Sequence, residues 1–552
     1  MAHDYDWLVI GSGFGGSVSA LRLREKGYSI GVLECGRRLG DDDFPRSTWD
    51  LRRYFWMPKL GMRGIFRMST FKDVAIVSGS GVGGGSLGYA NTLYRARRRF
   101  YEDPQWAGLA DWEAALAPHY DEAERMLGVV AYDQDDPADD LLREFAREIG
   151  VEDTYAKTRV GVLLDGEPGE TIPDPFFGGL GPDRTACMRC GRCMVGCPHG
   201  AKNTLVKNYL WLAERAGAHV FPDRMVVDVR PIGAPDGSEG YTVTTEHPGA
   251  WFRRRTRTFT ARGVVFAAGA LGTNKLLASC RLHGSLPRLS DRIGELVRTN
   301  SEAILAVTLP PGAPDIQRRV AITGSIYPDP ETHIETVVYG DAADSMSALY
   351  TVLVGDGTRV TRPLKLVRAA ARHPITFLRL FDPRGWSRRT IIVLVMQTLD
   401  NAIALRAHRT RRGVRLQTAQ DPERPIPIYI PVANQFAAWL ARRTGGIAQT
   451  ALMEAVANIA TTAHMLGGAA IGADPSTGVV DAGQRVFGYE NMLVCDGAAV
   501  PANVGVNPSL TITAMAEHAV SHIPAAGGGG RAGGRGYPAD VTSRAKVSNT
   551  ST

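Results

Sequence analysis

Residues Trp7–Gly11 form an apolar run that ends in glycine, the pattern of a parallel strand buried on both faces. A helical pattern follows over Ser17–Lys26 and stops at Gly27, and a second apolar run, Ser29–Leu33, leads into Glu34. Val264–Ala268 repeats the buried-strand pattern and meets a glycine turn at Gly269. An amphipathic helix is expected over Asn203–Ala216, ended by Gly217. Strand, glycine turn, helix, strand and acid in this order predict an α/β nucleotide-binding unit at the N-terminus. Two stretches depart from the pattern. Leu51–Phe71 and Thr361–Arg389 interleave Arg and Lys with large apolar residues, which suits either packing or lid helices or peripheral contact with an anionic membrane. No apolar run reaches the ~18 residues of a membrane span. The chain starts on its first strand without a basic leader or cleavage site, so a cytoplasmic location is expected.

Composition sharpens one feature, glycine. There are 62 glycines among 552 residues, or about 11% against an ordinary ~7%. In Gly11-Ser12-Gly13-Phe14-Gly15-Gly16 the first glycine allows the tight turn, the second lets backbone approach a pyrophosphate, and Gly16 lets helix and strand pack closely. Glu34 stands where a ribose 2′-hydroxyl is held, which suits NAD or FAD and opposes NADP. Ser78–Asn91 is a second glycine concentration, too rich for an element interior and too apolar at Val82, Leu87 and Tyr89 for a linker. The net charge of +6 is spread over the whole chain and, without an aromatic–basic module, excludes a nucleic-acid reader. Residues 525–552 are of low complexity and are expected to be disordered.

Four of the seven cysteines crowd together. Cys187, Cys190, Cys193 and Cys197, followed by Pro198, have the C-x2-C-x2-C-x3-C-P spacing of iron–sulfur ligation. The spacing predicts a [4Fe–4S] or [3Fe–4S] cluster; a four-cysteine zinc site and unligated thiols are the alternatives.

Gly79–Asn91, Val494-Cys495-Asp496-Gly497, Gly505-Val506-Asn507-Pro508, His464-Met-Leu-Gly-Gly, Thr299-Asn300-Ser-Glu and Met396–Asn401 together resemble the glucose–methanol–choline (GMC) oxidoreductases. Within that family they resemble the cholesterol oxidase branch, closest to its mycobacterial type. The resemblance implies an α/β fold in which a discontinuous Rossmann-like FAD domain is interleaved with a substrate domain built on a mixed β-sheet with helices. The FAD domain is expected over residues 1–50, 72–105, 220–300 and 470–524. The substrate or cap domain, which carries the cysteines at 187–197, is expected over 51–71, 106–219 and 301–469.

Carried over residue by residue, the resemblance puts Ser12, Gly13, Phe14 and Gly15 at the FAD pyrophosphate, Glu34 at the ribose and Val226 at the adenine. It puts Gly85, Asp496 and Gly497 near the flavin. It assigns His464 as base or hydrogen-bond partner of a secondary alcohol and Asn507 as the amide that orients it, with a hydride passing to flavin N5. The branch also moves a steroid double bond with a carboxylate; Asp344 and Glu335 are the candidates here, and a solvated loop is the plain reading of both. Flavin and cluster together imply export of electrons to a ferredoxin-like or quinone acceptor, with Arg184, Arg189, Arg192 and Lys202 available to tune the cluster or dock the acceptor. Oxidation of a hydrophobic, steroid-like alcohol with such export is the leading expectation. An oxygen-using oxidase with a structural cysteine site is one rival. An electron-transfer module without an alcohol substrate is the other.

Overall fold

The computed structural model describes residues 3–251, 254–411 and 413–527, so most of the tail expected to be disordered lies outside the described residues. The first apolar run becomes the strand Tyr5–Ile10, parallel to Ile30–Leu33 on one side and to Arg257–Phe266 on the other. His219–Phe221 extends the parallel part beyond Ile30–Leu33. Met492–Val494 lies parallel to the end of Arg257–Phe266, whose beginning pairs with an antiparallel hairpin, Met225–Pro231 and Tyr241–Glu246. This order places the turn after Ile10 at the carboxyl ends of the parallel strands, where α/β sheets bind nucleotides.

The helix of the nucleotide unit is Phe14–Glu25, three residues ahead of the sequence expectation, because the glycines themselves form its first turn. It packs on Tyr209–Arg215 and on Ser509–Ser521, which is buried over most of its surface. The helix expected from Asn203 begins only at Tyr209. Asn203 Nδ2 donates across the fold to Leu127 O at 2.8 Å, whereas Asn208 Oδ1 accepts locally from Tyr209 N. Side chains that bond nearby backbone compete with helix and here cap it instead.

A second large sheet carries the other half of the molecule. Ala303–Thr308 pairs with Thr390–Gln397 and Ile447–Ala451, and Thr332–Val337 joins Thr390–Gln397 to Ile322–Asp329. All its recorded pairings are antiparallel, where a mixed sheet was expected; only Ile322–Asp329 and Thr332–Val337 follow one another as a hairpin, and the other neighbours come from distant parts of the chain. Pro137–Glu148 and Pro431–Thr444 cover one face, and Phe145, Phe436 and Trp439 fill the gap against Leu305, Val307, Ile334 and Val393.

Two short strands set the site between the sheets. Ala460–Thr462 runs parallel to Val74–Gly79, and Leu466–Gly468 pairs with Glu295–Arg298. His464 is on the step between them. Of the two basic apolar stretches, Leu51–Phe71 turns Tyr54 and Trp56 inward, with Tyr54 stacked on Phe66, while Leu51, Met57, Leu60 and Met68 are exposed. Thr361–Arg389 behaves differently, as described below. No helix among the described residues is long and apolar enough to cross a membrane.

Candidate active site and cofactor cradle

The glycine turns meet face to face. Gly11 has φ +103°, and a Cβ there would lie 2.2 Å from Ala267 O; a Cβ on Gly15 would lie 1.5 Å from Cys495 O. Both positions therefore exclude any side chain, since Gly11 sits directly on the chain at Ala267–Ala268 and Gly15 on the chain at Cys495–Asp496. Gly83 N donates to Ser12 Oγ at 3.0 Å, tying the second glycine turn to the first. Gly13 and Gly85 differ from the others: a Cβ on Gly13 meets nothing within 4 Å, and one on Gly85 meets only Phe14 at 3.9 Å. Open space lined by backbone at a helix start is what a pyrophosphate and a flat ring need.

Glu34 is buried, with Oε2 accepting from Ser12 N (3.1 Å) and Ser12 Oγ (2.7 Å) and Oε1 accepting from Gly36 N (2.7 Å). Ser12 thus turns its hydroxyl to Glu34. Arg224 N donates to Glu34 O, which brings Val226 to the same end of the cradle. Asp496 accepts from Thr273 Oγ1 at 2.6 Å and from Ala498 N at 2.8 Å, and burial pushes its carboxyl up to about 6. Gly467 N donates to Gly497 O, so the segment after His464 hangs on the cofactor loop. Open backbone at Gly13 and Gly85, with a buried acid at Glu34, suits FAD.

His464 and Asn507, the residues expected to act on the alcohol, have partners that sequence reasoning missed. Glu302, fully buried, accepts from Ala463 N at 2.7 Å and contacts His464 Nδ1 with its other oxygen. That carboxylate orients the ring and leaves Nε2 as the proton acceptor. Asn507 Nδ2 donates to Glu335 Oε2 at 3.5 Å, while Asn507 Oδ1 and Glu335 Oε1 are buried without a hydrogen-bond partner. Glu302 also bears on Glu335 electrostatically, so the two pairs lie within range of each other's charge. Unpartnered buried acceptors of this kind are costly and mark a place for a ligand group.

The loop before Asn507 is clamped by motifs that carried only the family likeness. Asn300 N donates to Asn503 Oδ1 (2.7 Å), Gly505 N to Asn300 Oδ1 (2.7 Å) and Asn300 Nδ2 to Val506 O (3.0 Å). Asn503 in turn donates to Leu399 O at 2.7 Å and Asn401 Oδ1 at 3.1 Å. Asn300 has φ +59°, which asparagine tolerates better than most residues, and that is the one local signal for its role.

The plain loop reading fails for Glu335 and holds for a different reason at Asp344. Glu335 is on the buried strand Thr332–Val337, and burial pushes its carboxyl up to about 8. His333, two residues away on the same face, is held neutral by burial, its imidazole pushed down to about 3. Asp344 accepts from Gly385 N, Ser387 N and Ser387 Oγ at 2.7–2.9 Å, so both of its oxygens are spent on turning the chain at Gly385. Asp344 does not join these pairs.

Glu335 carries a stability signature. An unfolded carboxyl ionises near 4.5 and this one near 8, so the stability of the protonated form is complete below about 4.5 and is lost as pH rises toward about 8. Glu335→Gln is expected to melt at wild-type temperature in acid and a few °C higher near neutrality and above, a gain of up to a few kcal/mol. A gap in melting temperature that is the same at every pH contradicts this.

The cysteines correct the expectation of an iron–sulfur cluster. Cys187, Cys190, Cys193 and Cys197 line one cavity, but its volume is about 20 Å³, room for about one water. Burial pushes the Cys187 thiol up to about 12 and raises Cys190 and Cys193 as well. Among the described residues no group of three or more His, Cys, Asp or Glu is arranged to hold a metal ion. The basic side chains are spent as well. Arg184 and Lys202 are buried, Arg189 pairs with Asp133 at 2.8 Å, and Arg192 donates to Arg46 O, so they form no docking face for an acidic ferredoxin. Lys202 Nζ donates to Leu87 O, Tyr89 O and Cys193 O, bracing the second glycine turn with the cysteine segment.

Comparison with known proteins gives the family. A family model described as GMC oxidoreductase matches residues 398–516. A cholesterol oxidase of Mycobacterium tuberculosis is 48% identical over 550 residues, covering 98% of this chain and 94% of its own. A cholesterol oxidase of Acinetobacter baumannii is 46% identical, covering 95% of each chain. Among solved structures, pyridoxine 4-oxidase from Mesorbium loti superposes with a TM-score of 0.60 at 14% identity, covering 94% of this chain and 98% of that one, which speaks for the fold alone.

Proposed function

The chain belongs to the GMC oxidoreductase family, an FAD-dependent alcohol oxidoreductase, and we propose that it oxidises a secondary alcohol on a hydrophobic, steroid-like substrate with oxygen as the electron acceptor. The alcohol loses two hydrogens to become a ketone, and oxygen takes up both electrons and both protons as hydrogen peroxide. The observation that carries this reading is the two buried pairs, His464–Glu302 and Asn507–Glu335. Oxygen replaces the exported-electron reading because the cysteines do not fit a cluster and the relatives named above are oxidases.

Ser12, Gly13, Phe14 and Gly15 would hold the FAD pyrophosphate, Glu34 the adenosine ribose with Val226 at the adenine, and Gly85, Asp496 and Gly497 the ring and ribityl end. Bound there, FAD supplies the hydride acceptor. The chain supplies the rest. His464 Nε2 takes the hydroxyl proton while Glu302 keeps Nδ1–H in place and stabilises the positive ring that results. Asn507 Nδ2 has a second N–H besides the one directed at Glu335, which would donate to the substrate hydroxyl oxygen while His464 Nε2 accepts its proton, fixing the alcohol carbon's approach. Glu335, its carboxyl pushed up to about 8 and one oxygen without a partner, would in its ionised form take a proton from the ring carbon beside the new carbonyl and, neutral once it holds it, return that proton to another ring carbon, shifting a double bond. This division treats the chain as the two interleaved domains expected from the resemblance.

The test is stoichiometry. One peroxide per alcohol oxidised, with turnover halting when oxygen is withdrawn, is the expected result on a 3β-hydroxysteroid. Sustained turnover with an artificial acceptor and little peroxide in air would restore the dehydrogenase reading. Product analysis of Glu335→Gln reads the second role separately, as an accumulated ketone with its double bond unmoved.

A further inference from the structure

The segment Thr361–Phe381 turns apolar side chains outward. It folds as two helices, Thr361–Arg372 and Pro374–Arg379. Leu364 and Val367 on the first, and Ile375 and Leu378 with Phe381 just beyond on the second, recur at helical spacing and are exposed by 63% (Leu364) to 70% (Phe381). Scattered exposed apolar residues need no explanation, but a cluster on one short hairpin of helices does. Charge runs with it. Between Asp356 and Asp382 the chain has no acidic residue and six Arg or Lys. Arg368, Arg372 and Arg379 make no ion pair among the described residues.

The hairpin is held from beneath. Arg362, buried, donates to Ile428 O (3.2 Å) and Asn458 Oδ1 (3.3 Å) and lies 3.7 Å from Glu454 of the helix Leu452–Ala457. That helix leads through Ala460–Thr462 to His464. At the other side Arg359 donates to Lys72 O and Asp73 Oδ1. The inward side is therefore fixed on the frame that carries the catalytic step, and the outward side is apolar and cationic.

We propose that Thr361–Phe381 is a membrane-docking surface that rests on an anionic phospholipid bilayer, inserting Leu364, Val367, Ile375, Leu378 and Phe381 at the headgroup boundary with Arg368, Arg372 and Arg379 toward lipid phosphates. Apolar residues flanked by unpaired cations match that boundary in both depth and charge. A second copy of the chain is the poorer occupant, since a self-contact would set these cations against one another. The surface goes beyond the steroid reading and suits it, because a sterol resides in such a bilayer.

The experiment sediments the flavin-loaded, full-length protein with vesicles of phosphatidylcholine alone and of phosphatidylcholine mixed with phosphatidylglycerol. Binding to the mixed vesicles, at least about tenfold stronger than to neutral ones and weakened by salt, is expected. Arg368→Glu with Arg372→Glu should weaken it by roughly 25-fold or more, at about fivefold per lost cation. Leu378→Ser with Phe381→Ser should weaken it as well, with flavin content and circular dichroism unchanged because these side chains are exposed. Equal binding to both vesicle types, or variants that bind as wild type, overturns the proposal. So does a dimer in solution that the serine variant dissociates, which would assign the face to a second copy. Vesicle binding is read without turnover, so failure of the steroid reading leaves this result standing.

Discussion

His464→Ala is expected to lower kcat about a thousandfold while KM and flavin content stay near wild type, within the ~100- to 10,000-fold that a positioned proton acceptor contributes. Free imidazole added to the assay should return part of the rate, because the space of the lost ring is at the site and Glu302 is still there to orient a guest. Glu302→Gln keeps an acceptor for Ala463 N and loses the charge behind Nδ1, so kcat should fall by roughly 10- to 100-fold with KM held. The two changes distinguish positioning from scaffolding when combined. If Glu302 acts through His464, the double variant is no slower than His464→Ala alone, since residues acting as a unit are not additive. If Glu302 only braces the fold, the losses multiply. Steady-state kinetics of the three variants decide it, and a single His464→Ala that retains wild-type kcat removes the histidine from the mechanism.

The Rossmann-like unit was legible because its chemistry is local. Gly11–Gly16, the apolar strands on either side and Glu34 lie within one short stretch, and each residue type has a backbone reason to be there. His464 and Asn507 were legible through family likeness alone, as neither spacing nor periodicity singles them out. Glu302 and Asn300 stood inside a quoted motif, yet their roles arise from contacts 162 and 205 positions away along the chain, which no local pattern records. The acids near 335–344 were misread for a related reason. Glu335 belongs to an all-buried strand whose polar residues, Thr332, His333, Glu335 and Thr336, disguise it as a loop. The cysteine spacing gave the opposite error. Ligand spacing fixes which thiols can approach one point, whereas the room and charge at that point are set by Arg319, Lys202 and Val162 from elsewhere in the chain.

The remaining large effect is expected at Gly13, where the cofactor and not the protein demands glycine. Its backbone has φ −73°, open to any residue, and a Cβ meets no protein atom within 4 Å. Gly13→Val should therefore fold, with a circular dichroism spectrum and protease resistance like those of flavin-free wild type. The added methyls would stand in the space at the start of Phe14–Glu25, where the unpaired N–H groups favour a pyrophosphate. Overpacking by a few carbon atoms costs ~1–3 kcal/mol, so FAD affinity should fall by up to about a hundredfold and the purified protein should be nearly colourless. Gly15→Ala provides the contrast: its Cβ would collide with Cys495 O, so that variant should fail to fold rather than merely lose flavin. A Gly13→Val protein that retains full flavin would move the pyrophosphate away from this turn. One that misfolds like Gly15→Ala would mean that the open space beside Gly13 is needed by the fold itself.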